Sequence, residues 1–174
     1  MLQRWIPDAY YKNLAAVPAG ALYEKGYRLA LLDIDNTLAL HGSRESKTYA
    51  EEQIRRFEAA GFKVYILSNA KQERAESFGK SLQTKNVVTI GGAGKPGTKG
   101  IEEALRQSGC TKDETLLFGD QLFTDIWAGR KAGVKTVLLD RLGPREPWYI
   151  WLKRRGETLA KKMAGIKGYF DRIG

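Results

Sequence analysis

Arg28-Leu29-Ala30-Leu31-Leu32-Asp33-Ile34-Asp35-Asn36-Thr37 decides the fold. An apolar run with no polar alternation reads as a strand buried on both faces, which is the habit of parallel sheets. It ends abruptly in two carboxylates two residues apart, which would point to opposite faces if the strand continued. The chain is therefore expected to turn there and carry Asp33 and Asp35 to one strand tip. A turn built only from Asp and Asn is the plainer reading of the same residues.

Four further apolar runs follow: Val64-Tyr65-Ile66-Leu67, Val87-Val88-Thr89-Ile90, Leu116-Leu117-Phe118 and Val137-Leu138-Leu139. Segments of helical character lie between them, over 48–60 with Gly61 as a stop, then 71–83, 98–108 and 124–132. Strands alternating with single helices predict an α/β fold, a doubly wound, Rossmann-like parallel sheet of about five strands. In such sheets ligands bind beyond the carboxyl ends of the strands, and Asp33, Ser68 and Asp120 all fall at those ends. Each could instead cap the helix that follows.

A length of 174 residues, 43% hydrophobic, suits one core, and the expected division is an N-terminal extension at 1–27, a catalytic domain at 28–142 and a basic amphipathic helix at 143–174. One cysteine, Cys110, excludes an internal disulfide, and one histidine, His41, excludes a histidine-rich metal centre, so any metal should be a hard ion on oxygen ligands. No stretch approaches the roughly 18 apolar residues of a membrane span, and the opening residues have no apolar signal core, so a cytoplasmic location is expected. The net charge of +9 predicts an anionic partner without choosing among nucleic acid, membrane and phosphorylated substrate.

The acidic pair suits phosphoryl transfer. With a magnesium ion offsetting their repulsion, Asp33 can attack phosphorus while Asp35 gives a proton to the leaving oxygen. Thr37 and Ser68 offer hydroxyls to the phosphate oxygens. Lys95, after Gly91-Gly92-Ala93-Gly94, offers an ammonium; it competes with Lys99 and with the reading of a solvated surface lysine. Gly119-Asp120-Gln121-Leu122-Phe123-Thr124-Asp125 adds two more carboxylates after a strand, with Asp120 the direct metal ligand and Asp125 acting through a water or orienting a neighbour. Thr124 can also cap the following helix.

Taken in order, DIDNT at 33–37, Ser68-Asn69, Lys95-Pro96 and GDQLFTD at 119–125 resemble the motifs of the haloacid dehalogenase (HAD) superfamily across 29–139. The resemblance implies an aspartyl-phosphate on Asp33, acid/base work by Asp35, and Mg²⁺ held by Asp33, the Asp35 backbone carbonyl and Asp120, with Asp125 alongside. It implies phosphate contacts from Ser68 and Lys95, and a phosphate-binding set that also takes in Asn36, Thr37 and Asn69. The second acid, Asp35, resembles the phosphatase branch rather than the dehalogenases. Only about 25 residues separate the first motif from the strand before Ser68, too few for an inserted cap, so an open, uncapped site and a bulky substrate are expected. Length and the opening Trp5-Ile6-Pro7-Asp8 are similar to subfamily IIIA, YqeG-type phosphatases, which are themselves similar to phosphatidylglycerophosphate phosphatases. This implies an anionic lipid head group as substrate and a place in phospholipid biosynthesis, with a phosphoprotein or nucleotide next in order. Homo-oligomerisation, which can cover open sites of this kind, is left open.

From Trp148 to Gly174 there are seven Lys or Arg against two acids, with Trp148, Leu152, Leu159, Met163, Ile166 and Phe170 at helical spacing. Such a helix suits peripheral contact of 148–174 with an anionic membrane, or packing of its apolar stripe on the domain. Other classes fit less well. A nucleotide P-loop needs Gly-Lys-Ser/Thr where Gly97-Thr98-Lys99 stands; a phosphoacceptor receiver has no use for Asp35; a non-catalytic membrane- or RNA-binding scaffold lacks any aromatic RNA-binding motif, so nucleic acid is not the expected partner.

Overall fold

The computed structural model describes residues 5–39, 44–84, 86–143, 158, 161–162, 165–166 and 168–173. His41, Trp148, Leu152, Leu159 and Met163 lie outside them, as does most of the basic C-terminal segment. Among the described residues, no helix is long and apolar enough to cross a membrane.

The first apolar run forms β2 (Leu29–Leu32), buried at every position. Around it stand β3 (Lys63–Leu67), β4 (Val88–Ile90), β5 (Thr115–Gly119) and β6 (Lys135–Leu139). Together with β1 (Ala9–Tyr11) and β7 (Phe170–Asp171) they make one sheet in the order β4-β3-β2-β5-β6-β1-β7. All neighbours are parallel except β7, which runs antiparallel to β1. The chain grows from β2 outward to β4, then returns to β5 on the other side, so the switch point lies at the tips of β2 and β5.

Alternation along the strands sends side chains to two cores. Ala30, Leu32, Val64, Ile66, Leu116 and Phe118 pack with Leu22 of α1 (Ala19–Glu24), Ile54 and Phe57 of α2 (Arg44–Ala59) and Ala75 of α3 (Gln72–Ser81). Leu29, Leu31, Tyr65, Leu67 and Leu117 pack on the opposite face with Ile101 and Ala104 of α4 (Lys99–Ser108) and Ala128 and Ala132 of α5 (Trp127–Ala132). α2 ends as expected before Gly61, whose φ of +105° favours glycine and where a β-carbon would stand 2.6 Å from the Tyr23 ring. The connection from β2 to β3 carries α2, and that from β3 to β4 carries α3; among the described residues neither holds a folded cap.

Among the described residues the sheet has seven strands rather than about five. The two additions come from the ends of the chain, where short strands leave no periodic signature. Asp8 fixes the first: its buried carboxylate accepts from the Thr136 backbone N–H at 2.9 Å and hydroxyl at 3.1 Å, with Arg130 and Lys135 each 3.4 Å away. Arg130 also donates to the Ile6 carbonyl at 2.9 and 2.6 Å. At the other end, the helix expected over 143–174 does not reach its C-terminus, because Phe170 belongs to β7 instead of a helical stripe. Thr158, Lys161 and Lys162 are helical, and Ile166 packs near Leu122, Ile126 and Leu138.

Replacing Asp8 by Ala would leave the buried Thr136 N–H and hydroxyl without their acceptor and remove the ion pair of half-buried Arg130. The expected loss is about 2–3 kcal/mol, the scale for a charge-assisted hydrogen bond removed from one side. Urea denaturation should show it as a lowered midpoint with an unchanged slope.

Candidate active site

Asp33 continues the ladder, its N–H donating to the Phe118 carbonyl at 3.1 Å, and then the chain turns. The N–H groups of Thr37, Leu38 and Ala39 all converge on the Ile34 carbonyl, and Asn36 takes the left-handed φ of +62°, which Asn tolerates better than most residues. That turn sets Asp33 and Asp35 on one cleft of about 140 Å³, lined also by Asn69, Lys95, Gln121, Thr124 and Asp125.

Lys95 is buried. Its ammonium lies 2.6 Å from Asp33 Oδ1, 2.6 Å from Asp125 Oδ1 and 3.0 Å from the Leu67 carbonyl. The reading of a surface lysine therefore fails for Lys95 and holds for Lys99, which is exposed at the start of α4. Burial pulls the Lys95 ammonium towards the neutral form, but Asp125 and Asp33 outweigh it and hold the group above the ordinary lysine range.

Asn69 clamps the loop that delivers this lysine. Its side-chain carbonyl accepts from the Lys95 N–H and its amide donates to the Lys95 carbonyl, both at 2.8 Å. Expected among the phosphate ligands, Asn69 spends both ends of its amide on positioning Lys95. Ser68 is buried beside it, its hydroxyl accepting from the Ala70 N–H at 3.1 Å. Thr37 is also buried, and its hydroxyl has no hydrogen-bond partner among the described residues. Asn36 offers its carbonyl to the Leu142 N–H at 2.9 Å. Asn36, Thr37 and Ser68 do not line the cleft itself.

Asp120 and Asp125 follow β5. A single π-type turn, Leu122–Ile126, bends Asp125 back so that its Oδ2 accepts from the Gln121 N–H at 3.1 Å. Gly119 makes room: a β-carbon there would stand 2.3 Å from the Asp125 carboxyl carbon. Carboxylate oxygens of Asp33, Asp120 and Asp125 lie within 4.8 Å of one another, all three residues buried.

Three buried carboxylates facing one ammonium leave an excess of negative charge. Desolvation pushes the Asp33 carboxyl well above its usual range; Lys95 opposes this, while Asp125 and Asp120 reinforce it. A hard divalent cation on this all-oxygen donor set fits the deficit. Asp33 and Asp120 are the better placed to hold it, because Asp125 already divides its oxygens between Lys95 and Gln121. The Asp35 side chain stands outside this cluster and pairs with Arg74 at 3.3 Å, so any metal contact from Asp35 falls to its backbone, as the resemblance implies. Arg74 gave no signal in the sequence: it is one of 29 basic residues, on the exposed face of α3.

With this geometry in place, comparison with known proteins is direct. Residues 41–139 match the haloacid dehalogenase-like hydrolase family, and the chain belongs to that family. It is 29% identical over 172 residues to a protein of Bacillus subtilis named probable phosphatase YqeG, covering 98% of both chains. It is 28% identical over 170 residues to the chloroplastic/mitochondrial phosphatidylglycerophosphate phosphatase 1 of Arabidopsis thaliana, spanning 94% of this chain but only 49% of that one. A solved structure from Listeria monocytogenes serotype 4b, of an uncharacterized protein, shares the fold with a TM-score of 0.51 at 18% identity, over 78% of this chain and 99% of that one.

The raised Asp33 sets a pH dependence. A carboxyl whose folded value exceeds its unfolded value contributes stability that is full below the ordinary Asp range, near about 4, and is lost as pH rises through the folded value. In EDTA the urea midpoint of the natural protein should therefore fall as pH rises above the ordinary Asp range. Asp33→Asn, which carries no charge at any pH, should fall measurably less.

Proposed function

We propose that the protein is a magnesium-dependent phosphomonoesterase that works through an aspartyl-phosphate on Asp33 and acts on an anionic phospholipid precursor. The observation that carries the catalytic part is the convergence of Asp33, Asp35 and Lys95 on one cleft at the sheet's switch point.

Asp33 attacks phosphorus, the ester P–O bond breaks, and Asp35 gives its proton to the departing alcohol oxygen. Asp35 then takes a proton from water, whose oxygen attacks the acyl phosphate and frees inorganic phosphate. Lys95, fixed by Asn69, lies against Asp33 and offers charge to the phosphoryl oxygens, while Asp125 keeps the ammonium aimed. The buried hydroxyls of Thr37 and Ser68 remain the proposed donors to the phosphate oxygens. Magnesium, held by Asp33, Asp120 and the Asp35 backbone carbonyl, would supply the positive charge that lets an anionic ester approach an anionic nucleophile.

A lipid substrate is supported by the net charge of +9, the absence of a cap among the described residues and the similarity to a phosphatidylglycerophosphate phosphatase. In this reading residues 28–142 are the catalytic unit, with 1–27 packed on it, and the basic segment 148–174 meets the inner face of the cell membrane from the cytoplasm.

Phosphate release from phosphatidylglycerophosphate in mixed micelles and from p-nitrophenyl phosphate tests this. Both should require Mg²⁺, vanish in Asp33→Asn and fall about 10²–10⁴-fold in Asp35→Asn, the usual contribution of a positioned acid/base. Release from the aryl ester alone would remove the lipid substrate; release from neither would remove the catalytic reading.

A further inference from the structure

We propose that Arg74 is a specificity residue that selects phosphomonoesters whose leaving alcohol carries an anionic group of its own, a phosphodiester foremost. The inference rests on the reading of Asp35 as the acid for the leaving oxygen and narrows the substrate class of that site.

An acid that protonates the leaving oxygen must stand beside the leaving group, and whatever borders that acid borders the leaving group as well. Arg74 does so, its Nη2 3.3 Å from Asp35 Oδ1. It rises from the first turn of α3 and borders the cleft through Asp35 rather than lining it.

The site thus holds cations at two depths. Lys95, with a side chain 2% exposed, is locked between Asp33 and Asp125 and faces the phosphoryl group being transferred. Arg74, 58% exposed, stands at the rim. Its pair with the 35% exposed Asp35 side chain is of the solvated kind that contributes little net stability, so exchanging partners costs little. A guanidinium presents a planar fork that matches a phosphodiester or carboxylate through two parallel hydrogen bonds. A neutral alcohol offers it nothing comparable.

The test uses two water-soluble esters with the same phosphoryl group, which keeps membrane contact out of the readout. Glycerol 3-phosphate leaves a neutral alcohol, whereas glycerophosphoglycerol phosphate leaves an alcohol bearing a phosphodiester. The natural protein should favour the second in kcat/KM. Arg74→Gln should lower kcat/KM for the phosphodiester-bearing ester about tenfold more than for glycerol 3-phosphate, chiefly through KM, and Arg74→Lys should recover part of it. Equal losses on both esters, with a shifted acid limb of the pH profile, would make Arg74 a positioning residue for Asp35 and overturn the proposal. No change on either ester would also overturn it. p-Nitrophenyl phosphate separates the two failures: turnover of it with no change in selectivity defeats this inference alone, and no turnover by the natural protein defeats the phosphatase reading beneath it.

Discussion

The buried ammonium of Lys95 is the constraint on which the rest of the structure depends. An unpaired charge at that depth would cost far more than a domain of this size can spare, so the chain must bring carboxylates to it. Those carboxylates come from different strands: Asp33 from the tip of β2 and Asp125 from the turn after β5, with the Leu67 carbonyl of β3 completing the set. Lys95 itself arrives on the loop after β4. The sheet order β4-β3-β2-β5 is what lets four consecutive tips meet around one nitrogen. Asn69, bonded to both backbone groups of Lys95, and Gly119, which admits Asp125, are the local conditions for that meeting.

The same arrangement is poor for stability and good for chemistry. Asp33, Asp120 and Asp125 crowd within 4.8 Å in a buried place, where burial and mutual repulsion favour protonation of Asp33 despite Lys95. A site so charged favours a divalent cation, and only with that charge in place would an anionic ester be tolerated beside the carboxylates. Proteins commonly carry such local cost where function requires it. Asp35 escapes the crowd by sitting two residues later, its side chain 35% exposed and paired with Arg74.

Much of this was legible in the sequence because burial on both faces of a parallel strand leaves an unbroken apolar run, and because three of the five runs end at Asp33, Ser68 and Asp120. Asp33, Ser68 and Asp120 were placed at strand tips by that logic alone. Lys95 was not separable from surface lysines by any spacing, since its burial depends on contacts with residues 62 and 30 positions away. The family resemblance puts Asn69 among the phosphate contacts; its bonds to backbone groups of Lys95 come from the loop path, which side-chain patterns do not encode. β1 and β7, of three and two residues, are too short for periodicity to show, and β7 gains its place only by pairing with a strand some 160 positions earlier. Arg74 acquires meaning solely from the proximity of Asp35.

An acid quench during the first turnover reports whether Asp33 becomes covalently phosphorylated, as the proposed reaction requires. Mixing the protein with Mg²⁺ and a radiolabelled aryl phosphate, whose good leaving group favours accumulation of the intermediate, should give an acid-stable, hydroxylamine-sensitive label on the peptide containing Asp33. Turnover with no trapped label on that peptide, or a label that persists in Asp33→Asn, would contradict the account.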